Sequence, residues 1–350
     1  RHDKSVEAYA KTMQAELVVV MIDPKIGGIT HNITTPDTAI ALKGAAGDER
    51  CACMMISIEC KTYSAALHLP DAHGNPGKPY RNDSNVLGIP MADGTLPRIV
   101  LDANKESEVA AALAMANHKA GGGVIAEAPV RRAPGRTALP KHALKDAVGH
   151  VYMFDHPAWA PVLELEGSSV TCFDQCETAD VPAEVPIKAT ALLSTPHATE
   201  HVRKNFENLQ CSHPYGTHSA ARGADDAGNY RTSPLAAYKP KMNKLIVTCL
   251  IGIARSNGRI TVVSGVFGVI RGKRLTPGAV NGKFLHNSNC HPEARTLRLL
   301  HHAWSDADDF WAKLVLDMPC DTCLRANAKQ MGPTGSLPDL EGLFFLDIFH

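Results

Sequence analysis

Between His291 and Cys323 the chain carries one histidine, a glutamate two places on, and two cysteines three apart behind a proline, Pro319-Cys320-Asp321-Thr322-Cys323. Twenty-five residues, 294–318, separate the two halves. One imidazole and two thiolates give a tetrahedral zinc ion three protein ligands and leave one corner for water. His291, Cys320 and Cys323 are the expected ligands, with Zn2+ as the expected cofactor. Glu293 sits too near His291 to serve as a further ligand and is placed to carry protons on and off a water. The local pattern supports the geometry. Asn289 or Cys290 can start a helix, with Ala294, Leu297, Leu300 and Trp304 at helical intervals. Trp311–Asp317 reads as a buried strand. Pro319 then opens a second helix at no hydrogen-bond cost, with Cys320 and Cys323 on one face of its first turn. The positive end of a helix favours thiolate over thiol.

Upstream, Lys244–Ala254 reads as a strand, Ser256-Asn257-Gly258 as a hairpin turn and Arg259–Gly265 as the returning strand. Paired strands, an H-x-E helix, a strand and a P-C-x-x-C helix together resemble the zinc-dependent cytidine deaminase-like superfamily, over roughly residues 241–350. The resemblance is to its nucleic-acid-editing and toxin-type members. It implies a C-terminal three-layer α/β/α deaminase-like domain; the chain as a whole is then expected to be α/β, with a separate mixed α/β or α+β domain, read from its own alternating elements, ahead of it. The expected division is 1–225, a linker at 226–240, and 241–350. It also implies hydrolytic deamination of a nucleobase, cytosine to uracil favoured, with Glu293 as the catalytic acid/base. Asn287 and Asn289 would meet sugar or base, or else cap the helix. Two other readings stay open at these residues. One is a redox dithiol at Cys320 and Cys323. The other is a closed zinc site that recruits Cys290, shuts the open corner and leaves a non-catalytic interaction module.

Formal net charge is zero over 350 residues, which by itself points to no partner. The neutral total conceals an asymmetry. Residues 231–300 hold twelve basic side chains against one acidic, Glu293. That stretch, containing Arg271, Lys273, Arg274 and Lys283, fits a groove for DNA or RNA beside the expected pocket. A free nucleoside is the competing substrate, with the basic surface then incidental. A second basic run, with Arg131, Arg132, Arg136, Lys141 and Lys145, reads as a solvated loop rather than a phosphate contact.

Ahead of residue 210 strands and helices alternate, as in a layered α/β or α+β fold. Glu16–Ile22, Cys51–Ile58, Arg98–Leu101, Val124–Ala126, Pro161–Leu165 and Ile187–Leu193 read as strands, and Glu106–His118 as a helix. Leu343–Phe349 reads as a last strand. Cys172, Cys176, Cys211 and His213 form a possible second zinc set, with buried free thiols favoured there because C-x-x-x-C is a poor zinc knuckle. Ten cysteines are few for a disulfide-stapled chain of this length and favour a reducing, intracellular compartment. No apolar run reaches membrane-spanning length, so no membrane partner is expected.

Overall fold

The computed structural model describes residues 17–22, 32–70, 75–179, 187–214, 218, 238–258 and 343–348. Their framework is one mixed sheet between two layers of helix. The strands are β1 (Leu17–Ile22), β2 (Cys51–Ile56), β3 (Gly123–Pro129), β4 (Ser169–Asp174), β5 (Ala189–Ser194) and β6 (Leu343–Ile348). They lie in the order β1-β6-β2-β3-β5-β4. β1, β6, β2 and β3 run parallel. β5 runs antiparallel to both β3 and β4. Residues on both sides of 226–240 therefore contribute to one sheet. Most of that expected linker lies outside the described residues.

Runs that are apolar along their whole length belong in a sheet covered on both faces. β2, Cys-Ala-Cys-Met-Met-Ile, is buried at all six positions. Alternation along the strands sorts side chains into two cores. Met54, Ile56, Val124, Ala126 and Leu193 meet Leu42 and Ala45 of α1 (Pro36–Ala46) and Leu113 and Ala114 of α2 (Arg98–Lys119). Cys53, Met55, Ile125, Leu192 and Phe173 meet Val202 and Phe206 of α4 (Pro196–Phe206) and Ile246, Leu250 and Ile253 of α5 (Pro240–Ser256). Each such aliphatic side chain contributes about 1.5–3 kcal/mol on burial. Asn117, fully buried on α2, donates from Nδ2 to the carbonyls of Ala46 (3.2 Å) and Cys51 (2.8 Å), tying α2 to the α1–β2 corner.

Three expected strands are helices. Lys244–Ala254 lies inside α5. Its buried residues Met242, Ile246, Cys249, Leu250 and Ile253 recur at three- and four-residue spacing, and Pro240 takes the first helical turn. The apolar run was too long for an ordinary strand. Asn257-Gly258, expected as a hairpin turn, ends this helix instead. Gly258 is left-handed at φ 70° and its amide donates to the Arg255 carbonyl (3.0 Å). Arg98–Leu101 forms the first turn of α2 behind Pro97, with Val100 inside and Ile99 and Leu101 outside. Pro161–Leu165 overlaps the short helix α3 (Ala160–Leu163), with Pro161 in its first turn.

The basic run ahead of residue 146 is largely consumed within the fold. Arg131 pairs with Asp155, Arg136 with Asp83, and Lys141 with Asp174. Arg132 donates to the His142 carbonyl. These side chains hold loops together rather than forming a free anion site. Among the described residues no helix is long and apolar enough to cross a membrane.

Candidate metal centre

β4 is one of the two edge strands, and its outer backbone is covered by the chain that follows α4. After α4 the chain turns back along it. The Asp174 amide donates to the Leu209 carbonyl (2.8 Å), and Gln210 Nε2 donates to the Cys172 carbonyl (2.9 Å). This pairing satisfies an otherwise open edge. It also brings Cys211 beside the 3-10 turn Gln175–Thr178, which carries Cys176.

Four donors meet there. One ligand atom each from Cys176, Cys211, His213 and His218 lies within 4.8 Å of all the others. Cys211 Sγ is 3.4 Å from His213 Nδ1 and 3.1 Å from His218 Nε2. The two imidazoles stand nearly perpendicular, at 88°, with centroids 5.1 Å apart. Zinc bonds of about 2.3 Å to sulfur and 2.0 Å to nitrogen, at tetrahedral angles, separate S and N donors by about 3.5 Å. The group is thus a Cys2His2-like set that can hold a metal ion once its widest separations close. Both cysteines are buried, while the histidines are half-buried toward solvent. The Cys176 thiol is pushed well up, first by burial and then by its hydrogen bond and proximity to Cys211. A divalent cation reverses that preference by replacing the thiol protons. Glu177 lies at the rim, with Oε1 3.5 Å from His213 Nδ1.

A buried polar network supports Cys211 from behind. Asp174 is fully buried, and its Oδ2 accepts the Cys211 amide N–H at 2.8 Å. His142 Nε2 lies 2.9 Å from Asp174 Oδ1, and Lys141 Nζ lies 3.3 Å from Oδ2. Lys141 also donates to the Cys211 carbonyl. Burial pushes the Asp174 carboxyl up. The bonds from His142 and the Cys211 amide, with the charges of His142 and Lys141, outweigh it and hold the group below its ordinary range. Cys211 is therefore gripped at both its N–H and its C=O before any metal arrives. That kind of outer support fixes a ligand's position and raises metal affinity.

Three of the four residues raised from sequence as a second zinc set, Cys176, Cys211 and His213, come together. Cys172 does not: it lies within β4 and packs against the apolar cores, its thiol pushed up to about 11 by burial and then by Asp174. Of the buried free thiols expected there, Cys176 and Cys211 are buried and in no disulfide, whereas Cys172 is half-buried. His218 was missed, although Cys211-x-His213-x4-His218 is a legible local pattern. His291, Glu293, Cys320 and Cys323 lie outside the described residues, as do Cys290, Asn287, Asn289, Arg271, Lys273, Arg274 and Lys283. No protein-family model, curated protein or solved structure matches the chain.

Proposed function

We propose that the protein is a zinc protein whose Cys176, Cys211, His213 and His218 hold Zn2+ in a closed tetrahedral site. The observation that carries this is the convergence of the four donor atoms within 4.8 Å. Two thiolates and two imidazoles suit zinc better than the harder divalent ions. Four protein ligands leave no corner for water, so this centre stabilises structure rather than performing hydrolysis. Its role is to clamp residues 207–214 and His218 onto the edge of β4 and the turn after it. Titration with Co2+ tests the reading. Tetrahedral ligand-field bands with thiolate charge-transfer absorption are expected at one equivalent, weakened in Cys211→Ser. Absence of both in the wild-type chain defeats the proposal.

A second, catalytic zinc at His291, Cys320 and Cys323 is supported by the order H-x-E then P-C-x-x-C; of the hairpin expected ahead of it, Lys244–Ala254 lies in α5, Asn257-Gly258 ends that helix, and Arg259–Gly265 lies outside the described residues. In this reading a deaminase-like unit within 241–350 acts on a base, cytosine favoured, held in DNA or RNA by Arg271, Lys273, Arg274 and Lys283. Asn287 and Asn289 would orient the base or its sugar. The metal would supply a water of lowered pKa. Glu293 would take the proton of that water and deliver it to the ring nitrogen. It would then protonate the departing ammonia as water replaces the exocyclic amine. Single- and double-stranded oligonucleotides and free nucleosides, sequenced or chromatographed for uracil and inosine, separate a nucleic-acid enzyme from a nucleoside one. Glu293→Ala should abolish conversion while zinc content stays constant. Undiminished turnover in that variant removes Glu293 from the mechanism.

A further inference from the structure

A second cluster sits at the carboxyl ends of β2 and β3, apart from the metal centre. Ser57 follows β2, Glu127 lies on β3, Lys188 leads into β5, and Tyr238 leads into α5. Ile56 pairs with Ala126, which sets Ser57 beside Glu127. Glu127 shares the sheet face of Ile125, the one covered by α4 and α5. Its side chain is only 7% exposed. Oε2 accepts the hydroxyls of Ser57 (2.9 Å) and Tyr238 (3.4 Å). Among the described residues Oε1 takes no hydrogen bond, and the Lys188 ammonium lies 3.4 Å away. The negative charge is felt nearby: the Cys60 thiol is pushed up to about 11, by burial first and by Glu127 second.

Fold stability does not call for this arrangement. Glu127 interrupts the apolar run of Val124, Ile125 and Ala126, and a buried ion pair is often no better for stability than apolar side chains of similar volume. A pair with one oxygen left without a hydrogen bond is a poor version even of that. The position is informative, because open α/β sheets bind ligands outside the carboxyl ends of their parallel strands. Lys188, with 21% of its side chain exposed, forms the solvent side of the cluster.

We infer that Glu127, Lys188, Ser57 and Tyr238 bind a small zwitterion of the α-amino acid class. The ammonium of such a ligand donates to Glu127 Oε1, and its carboxylate takes the Lys188 ammonium as Lys188 moves outward. Charge matching selects this class. Inserting a zwitterion between Glu127 and Lys188 leaves each of these two charges facing an opposite one. A simple amine satisfies Glu127 and repels Lys188, and a simple carboxylate does the reverse. The inference is independent of zinc.

The test is saturation-transfer NMR on the full chain with glycine, L-alanine and L-serine against methylamine and acetate. Saturable transfer to at least one amino acid is expected, with affinity at least about tenfold above that for methylamine or acetate, a difference of about 1.4 kcal/mol. Glu127→Gln and Lys188→Met should each lower that affinity by at least about tenfold, with the wild-type circular dichroism spectrum retained. No amino-acid binding, or equal binding of methylamine or acetate, overturns the inference on the wild-type chain alone. Unchanged affinity in folded Glu127→Gln also overturns it.

Discussion

His150 is buried in the neutral form and sets a pH limit on the fold. Its Nδ1 accepts the Arg132 amide N–H at 2.9 Å, so the ring proton sits on Nε2 and is donated to the Tyr63 carbonyl at 2.9 Å. A second proton on Nδ1 would face an N–H. Burial lowers the pKa first. The bond to Tyr63 opposes that, His68, Arg132 and Arg131 reinforce it, and the result is about 4. The unfolded chain titrates near 6.5. Between those values the unfolded state holds a proton that the folded state refuses, so stability falls as pH drops through 6.5 and levels off below about 4. By pH 5 the loss is about 2 kcal/mol, out of a full linkage of about 3 kcal/mol. His156, also lowered to about 4 by burial and then by Arg81, adds a similar amount. Together these are a large part of an ordinary folding stability of about 5–15 kcal/mol. Urea unfolding at pH 7, 6 and 5, with chelator present to remove metal effects, measures this. His150→Gln should cost about 1–3 kcal/mol at pH 7 for the two lost bonds. Its deficit should then shrink by about 2 kcal/mol at pH 5, because the linkage is gone. Parallel stability curves for wild type and variant would refute the assignment.

Asp174→Asn keeps an acceptor for the Cys211 amide but removes the charge that His142 and Lys141 face. Zinc affinity, read by chelator competition, should weaken by about 10–100-fold, and an unchanged affinity would deny Asp174 its positioning role. Asn117→Ala leaves the Ala46 and Cys51 carbonyls without their side-chain donor in a dry corner. Chemical denaturation should show about 1–3 kcal/mol of lost stability with metal affinity unaltered.

Much of the sheet was legible because burial on both faces leaves a strong mark. Cys51–Ile56, Gly123–Pro129 and Ala189–Ser194 are short apolar runs bounded by polar or turn residues, and each is a strand. α5 was misread because periodicity alone does not separate a buried helix from a buried strand. The positions that decide it, exposed Lys244 and half-buried Thr248, are few. Asn257-Gly258 illustrates a second ambiguity: one dipeptide serves a hairpin turn or a helix end, and only the flanking structure chooses. The metal centre was half legible. Cys211, His213 and His218 are neighbours in sequence, whereas Cys176 is separated from them by β5 and α4. Only the return of the chain along the β4 edge joins the two halves. The buried support from Asp174, His142 and Lys141 carries no sequence signature, since it depends on where two loops cross.

Zinc X-ray absorption on the Cys320→Ser/Cys323→Ser double variant isolates the described centre from the second, catalytic one. One zinc per chain is expected, with two sulfur neighbours at about 2.3 Å and two nitrogen neighbours at about 2.0 Å. A metal-free double variant, or a coordination shell without sulfur, contradicts the assignment of Cys176, Cys211, His213 and His218 as a zinc site.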